Sequence, residues 1–220
     1  MTELRMLDVR GEVPDPSLLA EVARFLHGGG VIAMPTETVY GFGCALLEGP
    51  IQRIQTMKGR RSDRPFLVLV PSRQAVNGLA WTPEAEELAR IFWPGALTLV
   101  LRDTRRAFPP GVRSPRGGVA VRVSPHPVAK AILENLGEPI TSTSANPTGD
   151  PPALTALEAW EAALAAGAGG EVWVLEGGPL EPSLASTIVD FTGTGPVVSR
   201  IGAIPLGRLQ NVLPDIHVQN

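Results

Sequence analysis

Three stretches of this chain concentrate side chains that could bind or transform a ligand. The first, Met34-Pro35-Thr36-Glu37-Thr38-Val39-Tyr40-Gly41-Phe42-Gly43, brings hydroxyls, a carboxylate and two glycines directly after the apolar Val31-Ile32-Ala33-Met34. The second gathers Lys58, Arg60, Arg61 and Arg64 around a single acid, Asp63. The third, Ser142-Thr143-Ser144-Ala145-Asn146-Pro147-Thr148-Gly149, is dominated by hydroxyl and amide groups. Focused cations in a chain of net charge -3 suit a bound polyanion such as a nucleoside triphosphate, since Arg grips two phosphate oxygens with its fork and Lys supplies a mobile point charge. Taken singly, each cluster reads equally well as a solvated charged loop, and Thr36-Glu37-Thr38 as a strand-to-helix turn with a Thr cap. A second basic region holds Arg102, Arg105, Arg106, Arg113, Arg116 and Arg122.

The common alternatives are absent from the sequence. No G-x-x-x-x-G-K-[ST] loop, no G-x-G-x-x-G after a strand and no G-x-S-x-G occurs, and His27, His126 and His217 lack ligand spacing. The lone Cys44 excludes an internal disulfide and a cysteine-built metal site. No apolar stretch approaches the roughly 20 residues of a membrane span, and the N-terminus lacks a signal-peptide core, so a cytoplasmic protein without membrane contact is expected.

The elements that must position these groups follow from periodicity. Asp15-Pro16 with Leu18, Leu19, Val22, Phe25 and Leu26 predicts an amphipathic helix ending at Gly28-Gly29-Gly30. It feeds the strand Val31–Met34, which Pro35 ends by removing a ladder donor. Thr36 and its neighbours then stand beyond a strand's carboxyl end, where open α/β sheets bind ligands, and Gly41 and Gly43 allow positive φ or close approach to a ligand. A short helix over residues 50–57 puts Lys58 at its end. Further strands are expected over 66–70, 97–101, 119–123, 172–175, 186–190 and 197–201, with helices over 83–92, 127–136 and 155–166. Residues 142–149 carry too many polar groups for an interior strand and read as a binding loop or an irregular Ser/Thr turn. Several strand pairs lie too close in sequence for a parallel crossover, so the sheet is mixed. With 220 residues, 44% of them hydrophobic and 19% charged, one α/β domain is expected over the whole chain, with a core at about 15–204 and a short C-terminal tail containing His217.

PTETVYGFG, the pair Lys58-x-Arg60 and Ser144-Ala145-Asn146, in that order, resemble the YrdC family, from about residue 15 to about residue 204. The resemblance implies a twisted mixed sheet flanked by helices with a concave basic cleft. It also implies an enzyme that forms threonylcarbamoyl-adenylate and pyrophosphate from L-threonine, bicarbonate and ATP for tRNA modification, with Mg2+ as the ATP counter-ion and no dedicated metal cage. By the same resemblance Lys58 and Arg60 are catalytic and bind ATP together with Arg64, Ser144, Asn146 and Arg200. Thr36, Arg122, Ser142 and Ser186 match positions that hold L-threonine. Leu69 and Gly118 replace polar or hydroxyl residues of the family pattern, and Pro152 stands where a nucleotide-contacting Ser is common. The sequence stops at Asn220, implying a form without the C-terminal domain of longer relatives. Implied partners are tRNA-modification proteins, with weak tRNA or dsRNA binding. Two other readings compete: a non-catalytic RNA-binding module on the same concave face, and a paralogue that activates another small molecule.

Overall fold

Asp15 accepts a hydrogen bond from the Ser17 amide and Pro16 opens the first turn, so α1 (Pro16–His27) starts where its capping chemistry says it should. Its Leu19, Val22, Ala23 and Leu26 are buried, each large side chain contributing roughly 1.5–3 kcal/mol on transfer from water. The computed structural model describes residues 5–11, 14–59 and 64–219. Arg60, and with it Arg61 and Asp63, lies outside the described residues.

Following α1 come β2 (Val31–Pro35), β3 (Tyr40–Cys44), α2 (Glu48–Met57), β4 (Leu67–Leu69), α3 (Pro83–Phe92), β5 (Leu97–Arg102) and β6 (Gly118–Arg122). The chain continues through α4 (Pro127–Leu136), β7 (Ile140–Ser144), α5 (Ala156–Ala165), β8 (Val172–Glu176), β9 (Thr187–Asp190) and β10 (Val197–Arg200). A first strand β1 (Arg5–Asp8), a short α6 (Leu206–Gln210) and β11 (His217–Val218) complete it. Among the described residues these form an eleven-stranded sheet in the order β1-β8-β2-β3-β7-β4-β6-β5-β9-β10-β11. It is mixed: β2 runs parallel to β8 but antiparallel to β3, and β6 parallel to β4 but antiparallel to β5.

Three readings of the sequence need correction. Residues 36–39 do not lead to a helix; they close a hairpin between β2 and β3, with Pro35 paired to Tyr40. Gly41 and Gly43 are therefore strand residues, and neither has positive φ. Gly43 is required for another reason: a Cβ there would sit 2.8 Å from the Thr141 carbonyl oxygen. The polar run after Pro139 is not a loop throughout, because Ile140–Ser144 is a central strand between β3 and β4. Hydroxyls are tolerated there because Thr141 Oγ1 accepts from the Cys44 amide at 3.0 Å, Ser144 Oγ donates to Asn146 Oδ1 at 2.5 Å, and Ser142 lines the cleft. The segment after residue 204, expected as a tail, instead packs through Leu209 and Ile216, and His217 pairs with Val197.

Candidate active site

Strand period decides which side chains meet. Cross-strand partners Gly41 and Ser144, Leu67 and Ser142, Leu69 and Arg122, Thr98 and Ile188, and Ile188 and Arg200 all project from one face of the sheet. At one end of that face α1 and α4 bury Ile32, Met34, Leu69, Ile140 and Leu175. Where these helices stop, the same face carries Ser142, Ser144, Thr98, Arg122 and Ser186, and a cleft of about 380 Å³ opens over them. Thr36, Thr38, Pro152, Ser183 and Arg200 complete much of its wall, and Arg122 and Arg200 are the charged side chains among the described residues lining it.

Arg122 is 4% exposed, and a buried cation is costly without a counter-charge. Glu37 supplies one at 3.2 Å from Arg122 Nη1, as an ion pair without hydrogen-bond alignment. Ser124 donates to the other Glu37 oxygen at 2.6 Å. Glu37 Oε1 and Arg122 Nε are left without hydrogen-bond partners. Burial pulls the Arg122 proton affinity down; Glu37 opposes that, and nearby Arg200 adds to it. The guanidinium nonetheless stays charged at neutral pH. Arg122 is thus a desolvated cation with unused donor capacity.

Ser186 is held from two sides, by Thr98 Oγ1 at 2.9 Å and Arg200 Nη2 at 3.2 Å. Arg200 also donates twice to the Ser186 carbonyl, at 3.0 and 2.8 Å. The hydroxyl of Thr36 is occupied by its own turn, donating to the Val39 carbonyl at 2.8 Å and accepting from the Thr38 and Val39 amides. Thr36 therefore shapes the cleft rim through the hairpin it closes. Tyr40 hydroxyl donates to the Gly178 carbonyl at 2.7 Å and ties the hairpin to the segment that brings Ser183 and Ser186 to the cleft.

Lys58 caps the end of α2 and is buried. Its ammonium donates to the Ser144 carbonyl at 2.8 Å, the Asn146 carbonyl at 2.6 Å and Asn146 Oδ1 at 2.7 Å. Asn146 Nδ2 in turn donates to the Asp150 carbonyl, and Thr148 hydroxyl returns to the Lys58 carbonyl. Two motifs far apart in sequence thus form one cation-centred knot at the end of β7. Arg64 is exposed and precedes Pro65 on the cleft wall.

Of the expected site residues, the cleft wall contains Thr36, Arg122, Ser142, Ser144, Ser186 and Arg200, while Lys58 and Asn146 stand behind it. The second basic region disperses: Arg105, Arg106 and Arg116 are exposed and Arg113 pairs with Asp103, leaving Arg122 alone on the wall. Leu69 and Gly118 are off the wall. Leu69 is packed beneath α1 and α4, and a Cβ on Gly118 would lie 2.9 Å from Val100 Cγ1, so neither removes a group from the cleft as built. Pro152 does line it. Sequence reasoning passed over Thr98 and Ser183. Thr98 left a signal, as a polar position in the apolar run Leu97-Thr98-Leu99-Val100-Leu101; Ser183 left none.

With this geometry in hand, comparison with known proteins places the chain. The Sua5/YciO/YrdC family, described as "Telomere recombination", matches residues 24–202. The chain belongs to that family. It is 36% identical over 199 residues to the threonylcarbamoyl-AMP synthase of Pyrococcus abyssi, covering 89% of this chain and 57% of that protein. It is 38% identical over 192 residues to a putative threonylcarbamoyl-AMP synthase of Mycobacterium tuberculosis, covering 86% of this chain and 85% of that one. The crystal structure of P. abyssi Sua5 complexed with L-threonine superposes with a TM-score of 0.88 at 34% identity, over 97% of this chain and 62% of that one. The chain thus spans about three-fifths of the length of the P. abyssi protein.

His126 sits beside the site, accepting from the Val128 amide at the start of α4. Burial lowers its pKa from the ordinary value, Glu37 working in the opposite direction. A histidine whose folded pKa is depressed binds its proton more readily in the unfolded chain, so stability falls as pH drops through the unfolded value near 6.5 and levels off below the folded one. Urea midpoints should therefore be lower at pH 5.5 than at pH 7.5, and His126→Asn, which keeps a cap acceptor, should reduce that difference.

Proposed function

We propose that this chain is an L-threonylcarbamoyladenylate synthase. The observation that carries the reading is Arg122: a desolvated guanidinium on a cleft wall of hydroxyls that also includes Ser144, which Lys58 ties to Asn146. A buried arginine with donors to spare suits a small-molecule carboxylate. Ser142, Ser186 and, behind it, Thr98 offer partners for a side-chain hydroxyl. The names of the relatives support the same substrate set.

In this reading L-threonine lies with its carboxylate on Arg122, and its amine combines with bicarbonate to give a carbamate and water. A carbamate oxygen attacks the α-phosphorus of ATP, the bond to the bridging oxygen of the β-phosphate breaks, and pyrophosphate leaves. Arg200, with Arg60 and Arg64, neutralises phosphate charge, and the work of the chain is positioning and charge stabilisation. Lys58 contributes by holding the Ser144–Asn146 loop against the nucleotide. Among the described residues no group of three His, Cys, Asp or Glu side chains is placed to hold a metal, so Mg2+ is proposed only as the counter-ion carried in by ATP.

Transfer of the product to tRNA by partner proteins, weak salt-dependent RNA binding and a cytoplasmic location belong to the same proposal. Among the described residues no helix is long and apolar enough to cross a membrane. Pyrophosphate release from Mg-ATP should require both L-threonine and bicarbonate. Release indifferent to L-threonine would move the protein to another small-molecule substrate.

A further inference from the structure

Glu37 is the one chemically conspicuous residue of the Thr36-Glu37-Thr38 turn that the proposed reaction leaves unused. Its carboxylate is largely buried behind the cleft wall, anchored by Ser124 through one oxygen and 3.2 Å from Arg122 through the other. Ser124 is itself fixed, accepting from the His126 amide at 3.2 Å. The carboxylate therefore cannot swing away from Arg122 without breaking the Ser124 bond. The two arginines of the wall are consequently unlike: Arg122 carries a fixed counter-charge, while Arg200 is bonded to neutral Ser186 groups.

That asymmetry matters because one cleft has to sort an amino acid from polyphosphates. Its wall presents two arginines, and a bare buried guanidinium would bind phosphate at least as well as a carboxylate. A fixed negative charge changes the free energy of a nearby ligand in proportion to that ligand's own charge. A dianion is thus penalised twice as strongly as a monoanion. A zwitterionic amino acid, whose ammonium is attracted while its carboxylate is repelled, is penalised little.

We propose that Glu37 is a specificity-determining residue that keeps phosphate groups off Arg122, reserving that guanidinium for the carboxylate of an amino acid. The proposal rests on the synthase reading for the identity of the amino acid but not for the anion selectivity itself. It also gives Glu37 a function in turnover, since pyrophosphate or ATP lodged on Arg122 would block the amino acid.

Calorimetric titration of inorganic phosphate and of L-threonine onto the purified chain, without ATP, tests it. Glu37→Gln retains the size of the side chain and an acceptor for Ser124. It should bind phosphate about tenfold or more tighter than wild type, the scale of one nearby charge removed at an effective dielectric near 20, while L-threonine affinity changes by less than about threefold by the charge argument above. L-threonine should displace the added phosphate from Glu37→Gln. Glu37→Asp, which restores the charge, should return selectivity toward wild type. Equal phosphate affinity in wild type and folded Glu37→Gln overturns the proposal. Absence of any L-threonine binding to wild type counts instead against the synthase reading, and the direct phosphate titration still decides the role of Glu37.

Discussion

Arg122→Ala is expected to lower kcat/KM for L-threonine by two to three orders of magnitude, roughly the loss seen when one member of a desolvated charge pair is truncated. The variant should also be destabilised by about 3–5 kcal/mol, because Glu37 is left as a buried charge without its partner. The two effects can be separated. In Arg122→Met/Glu37→Gln the orphaned charge is gone, so stability in urea should recover while activity does not. Ser186→Ala should lose much less activity than Arg122→Ala, since it removes a neutral hydrogen bond in place of a charge-assisted one. Wild-type KM for L-threonine in a folded Arg122→Ala protein would show that the carboxylate is held elsewhere.

The second large effect belongs to Lys58. From sequence alone, Lys58→Ala should abolish ATP-dependent activity and leave the fold intact, as for any loop cation. The structure changes the second half of that expectation. Lys58 is buried, and its ammonium satisfies two backbone carbonyls and the Asn146 side chain. Removing it strands those acceptors at about 1–3 kcal/mol each where water cannot replace the donor. Lys58→Ala should therefore lose activity and also show a lower urea midpoint, with faster amide hydrogen exchange confined to residues 144–150. Lys58→Arg should not rescue it, because a planar fork cannot reproduce a point donor surrounded by three oxygens. An Ala variant with unchanged stability and exchange would mean that the knot does not hold the loop.

Much of the fold was legible because most elements obey local rules. The caps at Asp15, Thr82, His126 and Thr155 all start helices where expected, and the apolar runs around residues 68, 99, 121 and 174 are strands. Two segments that the sequence did not show as strands, residues 40–44 and 140–144, are central strands rich in glycine and hydroxyl residues. Their pairing is set by neighbours distant in sequence, such as Gly43 under the Thr141 carbonyl and Thr141 bonded to Cys44. Propensity cannot report this, because the strand tendency of such residues comes from what lies across from them.

The same division holds for the site. Sequence by itself determined the residue types available, cations for phosphate and carboxylate and hydroxyls for a polar ligand, and the motif order that marks the family. Tertiary structure decided which of those groups face the cleft. Period-two alternation, summed over strands far apart in the chain, puts Ser142, Arg122, Thr98 and Ser186 on one surface and sends Leu69 under α1 and α4. It also decided what each charge does: Glu37 became the counter-ion of Arg122, and Lys58 became the centre of a knot around Ser144 and Asn146. The reason is physical. A charge's role depends on the oxygens and the dielectric around it, and those are supplied by residues 85 to 90 positions away, which no local pattern encodes.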